Sequence, residues 1–282
     1  MSKVNEALAE GRARLQGEER DAALEAVILL AHALNRSRTW LYAWPEKALS
    51  EREYQAYLDL LRRREAGEPI SYITGTRGFW SLELKVTPAT LIPRPETERL
   101  VELALQGLPQ NALVADLGTG SGAIALALAT ERPDLMLFAT DADPEALEVA
   151  RGNARELGLT LDFAHGNWCE PLPPESFDLI VSNPPYVAET DPHLLQGDLR
   201  FEPRQALAAG PDGLDDIRII AASSMARLKT GGRLLMEHGW QQAKAVRSIL
   251  GQQGYEDVRS YRDLAGHERV TGGFRPRRRG PV

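Results

Sequence analysis

The amino-acid sequence predicts an α/β protein in which a small helical N-terminal domain precedes a mostly parallel sheet with helices on both faces. Over the first 70 residues, apolar positions recur at helical spacing. From residue 112 onward, apolar runs of strand length alternate with helical patterns, which indicates βαβ units. Two further runs near the C-terminus have only a short turn between them, which predicts an antiparallel pair at one edge of the sheet.

Two N-terminal helices and the segment after them set the domain boundaries. A helical stripe covers residues 23–34, and a second helix is predicted to begin at Ser50, where Ser50 and Glu53 match a capping box. Short β-like pieces broken by glycines follow over residues 70–91. We therefore predict a helical domain at 1–70, a β-hairpin linker at 71–92, a larger domain at 93–274 and an arginine-rich tail at 275–282.

The larger domain alternates strands with helices. Its strand-like segments are 112–118, 135–141, 161–167, 178–183 and 233–239. Its helical candidates are 122–131, 144–157, 213–229 and 241–253. Two more strands in residues 255–275 complete the sheet.

Composition and charge exclude several classes of protein. No apolar run approaches the roughly 20 residues that span a membrane, and the polar N-terminus resembles no targeting peptide, so we expect a cytoplasmic protein. The single cysteine, Cys169, and the five histidines show no disulfide or metal-ligand pattern, so no metal is expected and Cys169 is expected to be inert. Residues 1–90 are charge-balanced and residues 275–282 carry four arginines, so the net charge of −7 leaves −11 on residues 91–274. This acidic body disfavours extended nucleic-acid binding, and the tail is expected to be a solvated, mobile end.

The strongest cofactor signal is "DLGTGSGAIALALA", in which a strand end, three alternate glycines and a helix follow one another. Glycines permit φ > 0 and a close approach of ligand to backbone, and the helix start offers unpaired N–H groups. The spacing differs from the G-x-G-x-x-G dinucleotide fingerprint, which disfavours a dehydrogenase. Asp141 ends the next strand, where a carboxylate can accept hydrogen bonds from ribose hydroxyls, and Asp143 is expected to cap the following helix.

The segment Asn183-Pro184-Pro185-Tyr186 ends the fourth strand of the larger domain. Such a segment can be a simple turn, but it also suits chemistry on a planar nitrogen. The lone pair of an amide or exocyclic amino nitrogen is delocalised, and two acceptors that each hold one N–H would aim it. Asn183 offers its side-chain carbonyl and Pro184 its backbone carbonyl, while the prolines keep the loop stiff and free of competing donors. Tyr186 would pack against the flat group.

The glycine loop and Asp141 resemble the S-adenosyl-L-methionine site of class I methyltransferases, whose domain is a Rossmann-like seven-stranded fold. The whole chain further resembles the PrmC/HemK family, the glutamine methyltransferases of peptide chain release factors, in "LIPRPETE", "VSNPPY", "RFEPRQAL" and "EHGWQQ". The resemblance implies methylation of N5 of the glutamine in the Gly-Gly-Gln motif of class 1 release factors, which supports translation termination. S-adenosyl-L-methionine would be the methyl donor and S-adenosyl-L-homocysteine the product, and the N-terminal domain would help to recognise the release factor.

The same resemblance assigns roles by position. The cofactor residues would be Gly118, Thr119, Gly120, Ser121, Gly122, Asp141, Trp168 and Asn183. The substrate residues would be Asn183, Pro184, Pro185 and Tyr186, of which Asn183, Pro184 and Tyr186 would be catalytic. Trp168 would flank the adenine, although it also suits a partly buried structural position.

The sequence leaves two interpretations open for a few residues near the site, and it leaves rival functions for the protein as a whole. Arg94, Thr97 and Glu98 either close the methionyl end of the cofactor site or form an ordinary helix N-terminus. Glu202 and Pro203 either border the pocket or shape a loop. The rival functions are methylation of an exocyclic amine in RNA or DNA, which the acidic body disfavours, and a non-catalytic adaptor, which the intact motifs disfavour.

Asn183→Ala should lower the kcat of methyl transfer by several orders of magnitude, because the transition state loses an orienting acceptor. Transfer of a radioactive methyl group measures this loss. Turnover within a few-fold of the wild-type value would contradict the role assigned to Asn183.

Overall fold

The computed structural model describes residues 2–16 and 21–277. The chain divides into two compact units, with Thr76 the last residue of the first unit and Arg77 the first residue of the second. Residues 278–282 of the predicted arginine-rich tail lie outside the described residues. Arg275 is hydrogen-bonded through its backbone to Gly232 and Gly231, and its side chain pairs with Glu175 at 2.6 Å. The folded part of the second unit therefore extends to this arginine.

The first unit is helical. Its helices are α1 Val4–Arg14, α2 Ala22–Leu34, α3 Arg38–Ala43, α4 Glu51–Glu65 and α5 Ile70–Thr74. The capping box predicted for α4 is confirmed, since the Ser50 hydroxyl accepts from the Glu53 N–H and the Glu53 carboxylate accepts from the Ser50 N–H. Helix α5 lies where the sequence predicted the start of a β-hairpin, because a segment of only five residues does not show whether it forms one helical turn or a strand.

The strands belong to the second unit, except that the first strand begins at Thr76, the last residue of the first unit. The strands are β1 Thr76–Phe79, β2 Leu82–Lys85, β3 Leu113–Leu117, β4 Met136–Asp141, β5 Asp162–His165, β6 Phe177–Ser182, β7 Leu228–Glu237, β8 Glu256–Arg262 and β9 Glu268–Phe274. The helices are α6 Glu98–Ala104, α7 Ala123–Glu131, α8 Pro144–Leu157, α9 Asp215–Ser224 and α10 Ala243–Gln252. Short 3₁₀ turns at 95–97 and between residues 192 and 206 complete it.

A seven-stranded sheet organises this unit, in the order β5-β4-β3-β6-β7-β9-β8. Strands β3 to β7 pair in parallel, and β9 pairs antiparallel with both β7 and β8, as the sequence predicted. Helices α6, α7 and α8 pack on one face, and α9 and α10 on the other. Leu179 and Ile180 of β6 belong to opposite faces, because successive side chains of a strand alternate. Among the described residues, no helix is both long and apolar enough to cross a membrane.

Two predicted boundaries in the second half were wrong. Strand β7 begins at Leu228 instead of residue 233, and α9 ends at Ser224 instead of residue 229. The strand pairs with Phe177 at Leu228 and resumes regular pairing at Arg233, and the pairing shifts register around Gly231. Gly231, at φ 79°, permits this irregularity. Because the strand is irregular there, its first residues were predicted as the end of a helix.

Asn153, on the buried face of α8, joins three segments of the second unit. Its Oδ1 accepts from the Lys85 N–H at 2.8 Å, and its Nδ2 donates to the carbonyls of Lys85 at 3.0 Å and Ser121 at 2.8 Å. The residue is 2% exposed. One buried amide therefore ties the β1–β2 hairpin to the glycine-rich turn after β3.

Asn153→Ala should lower the free energy of unfolding by about 2–3 kcal/mol, because the backbone groups of Lys85 and the buried carbonyl of Ser121 lose their hydrogen-bond partners. Urea denaturation followed by circular dichroism measures the change. The matched control is Gly152→Ala in the same helix, where the added methyl group meets open space. That change should raise stability by about 0.5–1 kcal/mol. Equal stability of wild type and Asn153→Ala would refute the anchoring role.

Candidate active site

A cavity of about 620 Å³ lies at the carboxyl edge of the parallel strands. Eight residues that the sequence predicted as site residues line it: Gly118, Thr119, Gly120, Ser121, Asp141, Trp168, Asn183 and Pro185. Thr97 and Pro203 line it as well. The other three predicted site residues do not line the cavity, although each is adjacent in the chain to a residue that does: Gly122, Pro184 and Tyr186. The cavity opens where strand order reverses around β3, which is the usual ligand position in such sheets.

The glycine-rich turn approaches the indole of Trp168. Gly118, Gly120 and Gly122 all have positive φ, at 68°, 56° and 86°. A Cβ on Gly118 would come within 3.0 Å of the Trp168 ring. Both the backbone angle and the close ring therefore require glycine at this position.

Asp116, at the end of β3, holds this turn from below. Its Oδ2 accepts from the Thr119 hydroxyl at 2.7 Å and from the Ala125 N–H at 3.3 Å. The side chain is fully buried, and this burial raises the pKa of its carboxyl to about 7. Asp116, the first residue of the segment "DLGTGSGAIALALA", had no role predicted from the sequence, and the structure shows that it supports the glycine turn.

Asp141 connects the turn to the start of α8. One of its carboxylate oxygens accepts from the Gly120 N–H at 2.8 Å and the other from the Asp143 N–H at 2.9 Å. Burial raises the pKa of this carboxyl, and these backbone bonds oppose the shift. Each carboxylate oxygen has a second lone pair, so Asp141 keeps the capacity to accept from ligand hydroxyls. Asp143 caps α8 through the Glu145 N–H, as predicted.

Trp168 adopts a left-handed backbone conformation, with φ 44°, just beyond β5. Its carbonyl accepts from the Thr140 hydroxyl at 3.1 Å. The carboxylate of Asp216, which also lines the cavity, interacts with the Trp168 side chain. The six-membered ring of the indole lies against Gly118.

Asn183 directly follows β6 at the same edge and lines the cavity. Its Nδ2 donates to the Thr97 hydroxyl oxygen at 3.2 Å. Its Oδ1 is buried, and no described residue donates a hydrogen bond to it. The amide nitrogen is thus engaged, while the carbonyl oxygen remains an acceptor for a ligand.

Tyr186 ends the proline loop and is anchored by two groups. Its hydroxyl donates to Oε1 of Glu237 at 3.3 Å, and its carbonyl accepts from Nε2 of Gln242 at 2.9 Å. Gln242 also accepts from the Gly239 N–H at 2.8 Å, which links the loop to the end of β7. At Gly213, φ is 70° and a Cβ would lie 2.3 Å from the Tyr186 carbonyl oxygen, so the loop passes where only a glycine leaves room.

Glu202 and Arg94 form a bridge between two segments that border the cavity. The Glu202 carboxylate accepts from the Ile92 N–H at 3.0 Å and forms an ion pair with Arg94. Burial raises the pKa of Glu202, and the Arg94 charge opposes that shift. Glu98 instead accepts from the Trp80 N–H at 2.8 Å, so it supports the β1–β2 turn.

Several residues of the site escaped the sequence analysis. Glu237, Gln242 and Asp216 each contact a predicted site residue, but they come from strands, helices and turns far along the chain. Glu237 and Gln242 are the first and last residues of "EHGWQQ", a segment to which the sequence assigned a family resemblance and no role in the site. No local pattern marks a polar side chain that acts through a distant partner.

The residues of the cavity fit a cofactor of the adenosyl type. The volume falls within the range of about 300–1,000 Å³ that is usual for small-molecule sites. The wall combines an aromatic face at Trp168, carboxylate acceptors at Asp141 and the unsatisfied Oδ1 of Asn183. Among the described residues, no group of three or more His, Cys, Asp and Glu side chains is placed to hold a metal ion.

Comparisons with known proteins agree in both units. The family model described as PrmC N-terminal domain matches residues 6–75, and the one described as Methyltransferase small domain matches residues 97–202. A solved methyltransferase from Pyrococcus furiosus has a TM-score of 0.54 at 17% identity, covering 77% of this chain and 98% of that chain. At that identity the likeness concerns the fold alone.

The seven-stranded sheet, the glycine-rich turn and the matching domain define a class I S-adenosylmethionine-dependent methyltransferase. A release factor glutamine methyltransferase of Xylella fastidiosa is 51% identical over 261 residues, which cover 92% of this chain and 95% of the relative. The protein of the same name from Escherichia coli is 49% identical over 266 residues, covering 94% and 96%. The chain belongs to the release factor glutamine methyltransferase family.

Gln242→Ala should lower the kcat of methyl transfer by about tenfold, since the proline loop loses the amide that holds the Tyr186 carbonyl. The Kd of S-adenosylmethionine, measured by calorimetry, should change by less than about twofold because the glycine turn is untouched. Gln241→Ala, at the exposed neighbouring position, is the control. Equal kcat values for the two variants would contradict the anchoring role of Gln242.

Proposed function

We propose that this protein methylates the side-chain amide nitrogen of the glutamine in the Gly-Gly-Gln motif of class 1 release factors, with S-adenosyl-L-methionine as methyl donor. The observation that carries the proposal is the Asn183 amide. Asn183 lines the cavity, its Nδ2 donates to the Thr97 hydroxyl oxygen, and its buried Oδ1 has no donor among the described residues. A primary amide brings the N–H donor that this acceptor requires.

The cofactor residues proposed are those of the cavity wall. The turn from Gly118 to Gly122 would face the methionine portion, Asp141 the ribose hydroxyls and Trp168 the adenine. The second lone pairs of the Asp141 carboxylate oxygens and the position of Trp168 in the cavity wall support these assignments. When bound, S-adenosyl-L-methionine supplies an electrophilic methyl carbon on a sulfonium centre.

The contribution of this chain to the chemistry is orientation of a weak nucleophile. The two N–H groups of the glutamine amide would be held by Oδ1 of Asn183 and the backbone carbonyl of Pro184, which directs the nitrogen lone pair along one line. Pro185 lines the cavity and has no N–H to compete for these acceptors. Tyr186 would support the loop, with its hydroxyl on Glu237. The rate of methyl transfer would therefore be raised by positioning of the substrate amide and by preorganised dipoles.

The first unit is proposed to contribute to recognition of the release factor. It exposes two large aromatic side chains close together in the sequence, Tyr42 at 67% and Trp44 at 57%. Exposed aromatic residues are common anchors of protein interfaces. The match of this unit to the PrmC N-terminal domain supports a role shared within the family.

The proposal is tested by offering release factor, ribosomal RNA and DNA together with radioactive S-adenosylmethionine. Label should enter the release factor alone, and a release factor with Gly-Gly-Glu in place of Gly-Gly-Gln should remain unlabelled, because a carboxylate has no N–H to orient. Label in nucleic acid alone would refute the proposal and favour an exocyclic amine as substrate. In the same assay, Trp44→Ala should raise the KM of intact release factor and leave that of a short Gly-Gly-Gln peptide unchanged.

A further inference from the structure

His238 directly follows β7, is 0% exposed and takes part in a chain of side-chain hydrogen bonds. Its Nδ1 lies 2.9 Å from the Gly239 carbonyl oxygen, and its Nε2 lies 2.7 Å from the hydroxyl oxygen of Thr271 in β9. The Thr271 hydroxyl oxygen lies 2.7 Å from that of Ser260 in β8, and Ser260 accepts from Nη1 of Arg247 in α10 at 2.6 Å. A continuous hydrogen-bonded chain, called the Arg247–Gly239 chain below, therefore leads from α10 to the end of β7.

The two ends of the Arg247–Gly239 chain fix the direction of its hydrogen bonds. A carbonyl oxygen only accepts, so the Gly239 end requires a proton on Nδ1 of His238. A guanidinium group only donates, so the Arg247 end supplies a proton to the Ser260 oxygen. If Nε2 of His238 accepts from Thr271, Ser260 in turn donates to Thr271, and each contact of the chain contains one proton.

A proton on Nε2 of His238 would be one proton too many for this chain. The hydroxyl proton of either Thr271 or Ser260 would then have no acceptor among the hydrogen bonds of the described residues. An unpaired donor is costly in a buried position, and Thr271 is 0% exposed. Burial of the ring also lowers the pKa of His238. His238 is therefore neutral, with its single ring proton on Nδ1.

The Gly239 turn connects this histidine to the proline loop. The Gly239 carbonyl also accepts from the Gln242 N–H at 2.8 Å, and the Gly239 N–H donates to Oε1 of Gln242 at 2.8 Å. Because Oε1 accepts there, Nε2 of Gln242 is the atom that meets the Tyr186 carbonyl, at 2.9 Å. The turn is closely packed, since a Cβ on Gly239 would lie 2.9 Å from Oε1 of Gln242. The hydrogen bonds thus continue from His238 to the loop that begins at Asn183.

We propose that His238 is a positioning residue: the Arg247–Gly239 chain keeps its proton on Nδ1, and this donor holds the Gly239 turn that carries Gln242 to the proline loop. The inference rests on the proposed function, because it acts on the loop proposed to hold the substrate amide. Four elements far apart in the sequence, α10, β8, β9 and the end of β7, contribute one side chain each to the chain. The position of the loop therefore depends on residues that do not line the cavity.

The first test compares two substitutions of His238 by amides. The Nδ2 of an asparagine corresponds in position to Nδ1 of histidine, whereas the amide group of a glutamine corresponds to Nε2. His238→Asn keeps the donor to Gly239 and should hold the kcat of methyl transfer within about threefold, while His238→Gln should lower it by about tenfold. The KM of S-adenosylmethionine should change little in either variant. Equal losses, or a larger loss in His238→Asn, at a temperature where both variants are folded would overturn the inference.

The second test is the protonation of the His238 ring, followed by nitrogen NMR as the pH is varied. In the neutral wild type the proton should be on Nδ1, and a proton on Nε2 would refute the inference. A hydrogen bond donated to Nε2 stabilises the neutral ring, so Thr271→Val should raise the pKa of His238 and Thr271→Ser should leave it unchanged. The neighbouring charges are the same in all three proteins: Arg247 and Arg269 lower this pKa, and Glu268 raises it. An unchanged pKa in Thr271→Val would contradict the direction assigned to the chain.

The third test measures the position of Gln242 without turnover and so separates this inference from the proposed function. The side-chain amide signal of Gln242 is identified by its loss in Gln242→Ala. Its N–H protons should be protected from solvent exchange in wild type and in His238→Asn, and should exchange faster in His238→Gln. Equal exchange in the three proteins would refute the inference even if release factor is methylated. A wild type that shows this protection but labels no release factor would refute the proposed function alone.

Discussion

The parallel pairing of β3 with β6 is the constraint on which the rest of the site depends. In this pairing Leu117 lies opposite Ser182, and the Ser182 hydroxyl donates to the Leu117 carbonyl at 2.8 Å. The next residues, Gly118 and Asn183, therefore leave the sheet side by side. A shift of register by one residue would turn every β6 side chain to the opposite face, so the burial of alternate apolar side chains on both faces keeps this alignment.

Two buried carboxylates outside the cavity accept hydrogen bonds from residues of the site. Asp116 ends β3 and Glu237 ends β7, and burial raises the pKa of each to about 7. Between the ordinary carboxyl range and that pH, the folded chain binds more protons than the unfolded chain, so these two groups make the fold lose stability as the pH rises. The cost is local to the site, which fits a role in function more than in folding.

The sequence predicted those parts of the site that have a local signal. Alternate glycines after a strand, an acid at a strand end and an asparagine before two prolines are each visible within a few residues. Thr97 and Asn183 are 86 residues apart, and Tyr186 and Gln242 are 56 apart. Whether such polar side chains meet depends on strand order and register, which no short pattern contains. The same reason explains why the Arg94–Glu202 bridge was left with two interpretations.

Gly118 and Trp168 restrict substitution at each other's position to different degrees. A smaller residue at 168 would remove the ring that lies 3.0 Å from a Cβ at 118, so the steric restriction can be relaxed from one side. The backbone at 118 would keep its φ of 68°, where a residue with a side chain costs roughly 1–2 kcal/mol. A substitution at 168 can therefore remove the steric restriction on position 118, but it cannot remove the restriction set by the backbone angle there. A change of size at 168 leaves the backbone of the turn as it is, while the glycine is required by its own dihedral angle.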